Sequence, residues 1–302
     1  MITKNSSLIL LICLMSNALL AQKSNPENRD SQIRTIQQID SLISIKKIFE
    51  RTILVSFGAD AITAIKTQEG IVVIDAGIST GLTSKFRLKL EDFFQSNEFA
   101  YVINTHAHPD HYGGNSVFAD AQIIIHENGL QEISAQKENP EKTKESLKSI
   151  VAQYEQRLKG CEPNTEEWRE VFTQKIRYSF ALNDAEEQTL IKQQEITFSD
   201  SLKIDMGDAS FEMIFFGKCH SESDILIYVP ELNQLFTGDL FSRYGRPSIN
   251  DSLPPDKVRW KRAAAWIEKR MPDITTIISG HGELLSKEDL TDFITIMLEK
   301  SL

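Results

Sequence analysis

One twelve-residue stretch, NTHAHPDHYGGN, constrains the fold of this chain more than any other. It contains three of the six histidines, His106, His108 and His111, and places Asp110 among them. Because side chains alternate along an extended segment, His106 and His108 point to one side and can reach the same metal ion. If the chain turns into a helix near Asp110, then Asp110 and His111 point elsewhere and can serve a second ion. The stretch therefore predicts half of a metal site, which other parts of the chain have to complete.

Three more donors follow apolar, β-rich runs further along the chain: His220 in GKCHSESD, Asp239 in FTGDLF and His281 in SGHGE. Ligands at strand ends converge on one edge of a sheet, so these residues can complete the site. Imidazole nitrogen and carboxylate oxygen suit zinc, and also iron or manganese. His126, in IIIHENG, is the histidine outside this set, and a structural role is the more ordinary interpretation for it.

The order of the remaining segments predicts an α/β fold. Short β-rich runs broken by Gly and Asp occur in RTILVSF, DAITAIKT and GIVVIDAG, and STGLTSKFRLKLEDFFQ then has helical spacing. FAYVINTH and AQIIIHENG are predicted strands, the first of which runs directly into the histidine loop. Residues 128–192 are charged and helical, which indicates an insert, and DILIYVPELNQLFTGDLF is predicted as one later strand. Strand, helix, strand and loop in this order favour a layered α/β unit.

The N-terminus predicts export. An apolar run from Leu8 to Ala21 follows a basic residue, which is the layout of a secretory signal peptide over residues 1–21. The run is shorter than the roughly 20 residues that span a bilayer, although an uncleaved anchor is the alternative. We expect a periplasmic or secreted protein that has no membrane association after cleavage. The mature chain is then divided into a lead-in over residues 22–50 and a domain over residues 51–302.

Net charge and cysteine content bear on nucleic-acid binding and on disulfide formation. The formal net charge is −10, which disfavours binding to nucleic acid, because a phosphate backbone needs a basic face. Cys161 and Cys219 remain after cleavage, and a disulfide between them is an open alternative in an exported protein. The oligomeric state does not follow from the sequence.

The motifs together resemble those of a known family. THAHPDH, followed by His220, Asp239 in TGDLF and His281 in SGHG, is similar to the motif series of the metallo-β-lactamase-fold hydrolase superfamily. VVIDAG, with Asp75, matches an early motif of that family. The motifs occur in the family's order, and the resemblance covers roughly residues 53–302 outside the insert. It implies an α/β fold, a four-layer αββα sandwich with metal ions on one edge and a central helical insert.

The resemblance also implies a role for each donor. It implies two divalent metal ions, for which Zn²⁺ is the preferred identity and iron and manganese are the alternatives. The first ion would take His106, His108 and His220, the second would take Asp110, His111 and His281, and Asp239 would bridge the two. Asp75 would orient a ligand imidazole by hydrogen bonding, unless it is only a turn residue after its strand.

Such a ligand set predicts hydrolysis. Two ions a few Å apart lower the pKa of a shared water, yield a metal-bound hydroxide near neutral pH and polarise the group under attack. Asp110 is placed to steer that hydroxide, and Asp239 to hold the pair of ions. We expect cleavage of an ester, lactone, thioester, amide or phosphoester in a small-molecule substrate.

The residue type at position 239 indicates which branch of the family the chain resembles. The commonest subclass of zinc β-lactamases has cysteine at this position, whereas a carboxylate is typical of the glyoxalase II, lactonase and phosphodiesterase-like branches. Glyoxalase II itself fits poorly, because it carries a longer helical C-terminal extension than the chain after His281 allows. A β-lactamase and a mono-iron sulfur dioxygenase-like oxidoreductase remain the alternatives.

Two segments are candidates for substrate contact. Arg243, Tyr244 and Arg246 follow Asp239 in FSRYGRPSIND, where a cation could hold a substrate carboxylate or phosphate. An exposed loop whose arginines pair with surface acids is the alternative. The helical insert either covers the mouth of the site or forms a solvated helical pair.

Overall fold

A computed structural model of the protein describes residues 36–192, 194–242 and 254–299. The chain divides into two compact units, Met1–Ser44 and Ile45–Leu302. The described part of the first unit is helical over residues 36–42, and the predicted signal peptide lies outside the described residues. No helix in the described parts of the chain is both long and apolar enough to span a bilayer.

The first sheet has seven strands that follow chain order, β1 to β7. Strands β2, β3 and β4 pair antiparallel, and β4, β5, β6 and β7 pair in parallel. The first strand lies within residues 22–50, the predicted lead-in, so the sheet begins before residue 51. The strands are β1 Ser44–Phe49, β2 Thr52–Phe57, β3 Asp60–Thr67, β4 Gly70–Ile74, β5 Phe99–Ile103, β6 Gln122–His126 and β7 Ile196–Phe198.

The second sheet has six strands in the order β13, β12, β11, β10, β9, β8. Its neighbours pair antiparallel except β11 and β12, which are parallel. The strands are β8 Ser201–Asp205, β9 Ser210–Phe215, β10 Ile225–Val229, β11 Gln234–Gly238, β12 Thr276–Ser279 and β13 Leu284–Leu285.

The segment DILIYVPELNQLFTGDLF is a hairpin, so its prediction as one strand is wrong. A 3-10 turn at Pro230–Leu232 and Asn233, with φ of 54°, reverse the chain between β10 and β11. Proline cannot donate to a strand ladder, and asparagine tolerates positive φ better than most residues. The turn therefore interrupts an otherwise continuous apolar run.

The two sheets pack face to face, and helices cover their outer faces. Alternate side chains of each strand point to opposite faces. Val72 and Ile74 of the first sheet share one buried cluster with Ile227 and Val229 of the second. Leu226 and Tyr228 point the other way and pack with residues of two later helices, which are named here α6 Pro254–Arg270 and α7 Lys287–Glu299.

Helix α1, Thr80–Phe94, covers the outer face of the first sheet. It begins at Ser79, whose side chain accepts a hydrogen bond from Leu82 N, as expected of an N-cap. Phe86 and Leu90 are fully buried, and each contributes about 1.5–3 kcal/mol of burial free energy. Helix, sheet, sheet and helix form the predicted four-layer sandwich, and this prediction is confirmed.

Three helices stand between β6 and β7 and form the insert: α3 Glu127–Lys137, α4 Pro140–Leu158 and α5 Glu166–Glu186. All of α4 is described, and none of its residues is buried. Helix α5 instead packs on α1, where Thr80 N and Oγ1 donate to Asp184 at 2.6 and 2.7 Å. A Cβ on Gly81 would lie 2.5 Å from the Phe180 ring, so glycine permits this close approach. One half of the insert is therefore part of the packed domain.

Candidate metal centre

The histidine loop joins β5 to a four-residue helix, α2 Pro109–Tyr112. His108 has extended backbone angles and precedes the proline that opens the helix. The rings of His106 and His108 lie 4.6 Å apart between centroids, as expected for neighbours on one side of an extended segment. A Cβ on Gly113 would lie 2.3 Å from Ile78 O, so glycine allows the loop to pack against the segment that follows β4.

The structure brings all seven predicted donors together in three overlapping groups. Within each group the ligand atoms lie within 4.8 Å of one another. The three later stretches, which carry His220, Asp239 and His281, enter where predicted, after β9, β11 and β12. We call them the first group (His106, His108 and His220), the second group (Asp110, His111 and His281) and the middle group (His106, His111 and Asp239).

Asp239 lies between the first and second groups. Its Oδ2 is 3.0 Å from His281 Nε2, 3.6 Å from His220 Nε2 and 3.7 Å from His111 Nε2. A Cβ on Gly280 would lie 2.5 Å from Asp239 Oδ1, so a side chain at that position would collide with the carboxylate. One carboxylate therefore faces imidazoles of both groups.

Unpartnered polar atoms mark the centre. Among the described residues, four buried side-chain atoms have no hydrogen-bond partner: His106 Nε2, His111 Nε2, Asp239 Oδ1 and Arg177 Nε. A buried polar group without a partner costs about 1–3 kcal/mol. Three of the four belong to the middle group, and their nitrogen and oxygen donors are those that bind divalent cations. The residues present therefore fit bound metal.

Hydrogen bonds behind the second group orient its imidazoles. Asp75 Oδ2 lies 2.9 Å from His111 Nδ1, and Thr105 N donates to Asp75 Oδ1 at 2.8 Å. His281 Nδ1 donates to Ala59 O at 2.7 Å. In both rings this leaves Nε2 directed to the centre, which is the arrangement that metal-binding histidines need.

Two residues in the insert contact the centre, and sequence reasoning did not identify them. Glu132 Oε1 lies 3.9 Å from His108 Nε2, and Glu132 Oε2 accepts from Ser223 Oγ at 2.9 Å. Arg177 Nη2 donates to Asp110 Oδ2 at 3.1 Å. Charged residues recur along every turn of these helices, so no local signal separates these two from the solvated ones.

Burial keeps two of the histidines neutral. It lowers the pKa of His106 well below its usual value, and nearby His111 adds to the effect. Burial also lowers the pKa of His220 to about 4. Both rings are therefore uncharged near neutral pH, which is the form that binds metal.

The carboxylates of the centre are ionised. Burial alone would raise the pKa of Asp110, but His111 and Arg177 lower it to about 2. Burial likewise opposes ionisation of Asp239, and His111 nevertheless lowers its pKa far below the usual value. The reciprocal effect of the carboxylates raises the pKa of His111, against the effect of burial. The centre thus holds negative charge that a cation can neutralise.

His126 is engaged elsewhere. Its Nε2 donates to Ser199 O at 2.7 Å, and its Nδ1 accepts from Asn128 N at the start of α3. Its ring stacks on Phe215 with centroids 3.6 Å apart. These contacts support a structural role. Cys161 and Cys219 both carry thiols, so no disulfide joins them, and the predicted substrate contacts Arg243, Tyr244 and Arg246 lie outside the described residues.

Two relatives of the chain are named as metallo-beta-lactamases. Metallo-beta-lactamase type 2 from Bacillus cereus is 21% identical over 243 residues, which cover 79% of this chain and 75% of that protein. The protein of the same name from Bacillus sp. (strain 170) is 22% identical over 246 residues, with coverage of 80% and 76%.

Solved structures share the fold. The metallo-beta-lactamase from Pontibacter korlensis superposes with a TM-score of 0.53 and 16% identity, covering 85% of this chain and 99% of that chain. The stereoselective inverting sec-alkylsulfatase Pisa1 from Pseudomonas sp. gives a TM-score of 0.59 and 15% identity, covering 85% of this chain and 42% of that chain. The family model of the metallo-beta-lactamase superfamily matches residues 57–281, which include all seven donors. The chain therefore belongs to the metallo-beta-lactamase superfamily.

Proposed function

We propose that the protein is an exported hydrolase that works with two divalent metal ions, Zn²⁺ in the first instance. One observation carries the proposal: buried donor atoms of His106, His111 and Asp239 have no hydrogen-bond partner, although they lie in one cluster. The cluster extends on both sides into three-residue groups, which supports two ions rather than one.

The donors divide between the ions as the family resemblance implies. The first group would hold one ion, the second group would hold the other, and Asp239 would serve both. Bound ions of this kind supply an acidified water and polarise the bond under attack. Asp75 keeps the His111 ring oriented, since its carboxylate contacts the nitrogen that faces away from the centre.

Asp110 orients the attacking water. One of its oxygens is held by Arg177, and the other lies 3.8 Å from His111 Nε2. That second oxygen faces the donors and can accept a hydrogen bond from a water in the centre. Arg243, Tyr244 and Arg246 are proposed to bind an anionic part of a small substrate.

The substrate carries an ester, lactone, thioester, amide or phosphoester. Asp239 supports this choice, because a carboxylate stands where the commonest zinc β-lactamases have cysteine. β-Lactam hydrolysis is the second candidate, favoured by the names of the two Bacillus relatives. The fold alone does not choose between them.

Metal analysis and a substrate panel test the proposal. The mature chain is stripped with a chelator, reloaded with Zn²⁺ and assayed by mass spectrometry for metal per chain. The panel contains a lactone, a thioester, a carboxylic ester, an amide, a phosphodiester, a β-lactam and a secondary alkyl sulfate. We expect two Zn²⁺ per chain and cleavage of a carboxylic or phosphoric derivative in preference to the β-lactam.

Other outcomes would overturn it. One iron per chain, with oxygen uptake on a persulfide, would replace the hydrolase with a mono-iron oxidoreductase. A fully loaded protein that is inactive across the panel would indicate a binding protein instead.

Export is tested separately. We expect the intact mass of the protein recovered from the periplasm or medium to correspond to a chain that begins at Gln22. A mass that still includes residues 1–21 would support the uncleaved anchor.

A further inference from the structure

Arg177 carries a positive charge from the insert into the candidate centre. It lies on α5, and only 4% of its side chain is exposed. Its Nη2 donates to Asp110 Oδ2 at 3.1 Å and lies 3.7 Å from Asp60 Oδ1. Its Nη1 donates to Gln174 Oε1 at 3.0 Å, one turn earlier on the same helix. The guanidinium is therefore fixed on both sides.

Asp60 is the second carboxylate at this contact, and it is not a predicted metal ligand. It begins β3, is buried, and accepts a hydrogen bond from Ile78 N at 3.1 Å. Arg177 thus stands against two carboxylates of the sandwich. If the guanidinium were absent, Asp60 and Asp110 would lie near one another without the positive charge that both now face, and like charges in a buried site repel strongly.

Little else holds the Asp110 side chain. It projects from α2, a helix of four residues, and 27% of the side chain is exposed. Its other oxygen, Oδ1, lies 3.8 Å from His111 Nε2, beyond hydrogen-bond distance. A planar guanidinium fixes the direction of a carboxylate more closely than an ammonium group does. The bond from Arg177 therefore decides which oxygen of Asp110 is turned to the donors.

We infer that Arg177 is a positioning residue that holds Asp110 as a ligand of the second metal ion, so that the helical insert is part of the metal site. The inference rests on the proposed two-ion function. It also assigns the insert a role in metal binding, which differs from both earlier alternatives, a cover over the mouth of the site and a solvated helical pair.

The test compares variants of Arg177 by metal titration. Zn²⁺ is titrated into the metal-free full chain against a chromophoric chelator, and the Co²⁺-loaded protein is examined by absorption spectroscopy. In Arg177→Met we expect one of two equivalents to bind at least about tenfold more weakly, while the other stays within about twofold of the wild type. The Co²⁺ bands of the weakened site are lost in parallel. Arg177→Lys, which keeps the charge, recovers part of the affinity.

Arg169→Met is the matched control. Arg169 lies on the same helix and is exposed, so this variant should bind both equivalents as the wild type does. Equal binding of two equivalents by Arg177→Met and Arg169→Met would overturn the inference.

A double variant separates positioning from folding. Arg177→Met leaves Asp60 buried without its counter-charge, so the domain can unfold for that reason alone. Asp60→Asn combined with Arg177→Met removes the charge while the amide oxygen still accepts from Ile78 N. We expect the double variant to fold and still to bind one of two equivalents of Zn²⁺ more weakly than the wild type does.

Wild-type affinity for both equivalents in the folded double variant would reduce Arg177 to a structural partner of Asp60 and overturn the inference. A wild-type chain that binds fewer than two equivalents would give a different result: it would overturn the two-ion function and this inference with it.

Discussion

The first and second groups each contain three donors, but the residues behind them differ. In the second group every donor has a contact on the side away from the centre. Asp75 contacts His111, Ala59 O accepts from His281, and Arg177 donates to Asp110. In the first group His106 Nδ1 lies 3.1 Å from Thr105 Oγ1, whereas the contact behind His108 is Glu132 at 3.9 Å.

Exposure separates the groups less sharply. The side chains of His108 and His220 are 35% and 23% exposed and that of Asp110 is 27% exposed, whereas His106 and His111 are buried. His108 and His220 also contact each other directly, with 3.1 Å between Nδ1 and Nε2. We conclude that the second group is set in its binding geometry by the fold, and that the first group has more freedom to adjust. Loss of a supporting contact should therefore cost more in the second group.

The largest effect is expected at the residue that the two groups share. Asp239→Ala removes the oxygen that faces His111, His220 and His281, so both of the proposed ions would lose a ligand. We expect kcat/KM to fall by a factor of about 10³ or more, with loss of bound metal and retention of the circular dichroism spectrum. Full activity with two metals would show that the groups are independent.

His126→Ala is the control for that variant. It removes a histidine whose nitrogens bond to Ser199 O and Asn128 N rather than to the centre. Stability should fall, because the ring is buried, but metal per folded chain should stay at the wild-type value.

The next largest effect is expected behind the second group. Asp75→Asn keeps a residue that tolerates the φ of 61° at this position, but it removes the charge that faces His111 Nδ1. We expect a loss of about 10- to 100-fold in affinity for one equivalent of Zn²⁺, measured by competition titration. Unchanged affinity would mean that Thr105 and the backbone orient His111 without the carboxylate.

A smaller effect is expected behind the first group. Glu132→Gln keeps an acceptor for Ser223 Oγ and removes the charge near His108 Nε2. Because the contact is 3.9 Å and His108 is partly exposed, we expect affinity for Zn²⁺ to change by less than about tenfold. A loss as large as that of Asp75→Asn would break the comparison, since both groups would then be held equally firmly.

The donors and the residues behind them differ in how far the sequence predicts them. The seven donors follow from local patterns, because the H-x-H-x-D-H spacing and the strand ends lie within short stretches. The order of strand and helix patterns predicts a layered α/β unit, and the four-layer arrangement follows from the family resemblance. The contact between Asp110 and Arg177 joins positions 67 residues apart, and an arginine on a charged helix looks like part of a solvated face. The chain reversal at Asn233 is different, because Pro230 and Asn233 mark it locally within the apolar run.

The smallest effect concerns the loop that carries His220. Asp224 accepts from Ser221 N and Ser221 Oγ at 2.5 and 3.0 Å, and so fixes the chain just after His220. Burial raises the pKa of Asp224 from 3.8 to about 7, although the bonds from Ser221 oppose the shift. A folded-state pKa above the unfolded value means that the neutral acid stabilises the fold. This contribution is complete below about pH 4 and is lost as the pH rises through 7.

In the metal-free chain we therefore expect the free energy of unfolding to fall between pH 4 and pH 7 more steeply in the wild type than in Asp224→Asn. The asparagine cannot ionise, but its oxygen can accept from Ser221 N and its amide can donate to Ser221 Oγ. Urea titrations at pH 5, 6, 7 and 8 measure the difference. The same slope in both proteins would mean that Asp224 is already ionised in the fold. The loop of His220 would then owe no stability to protonation of Asp224.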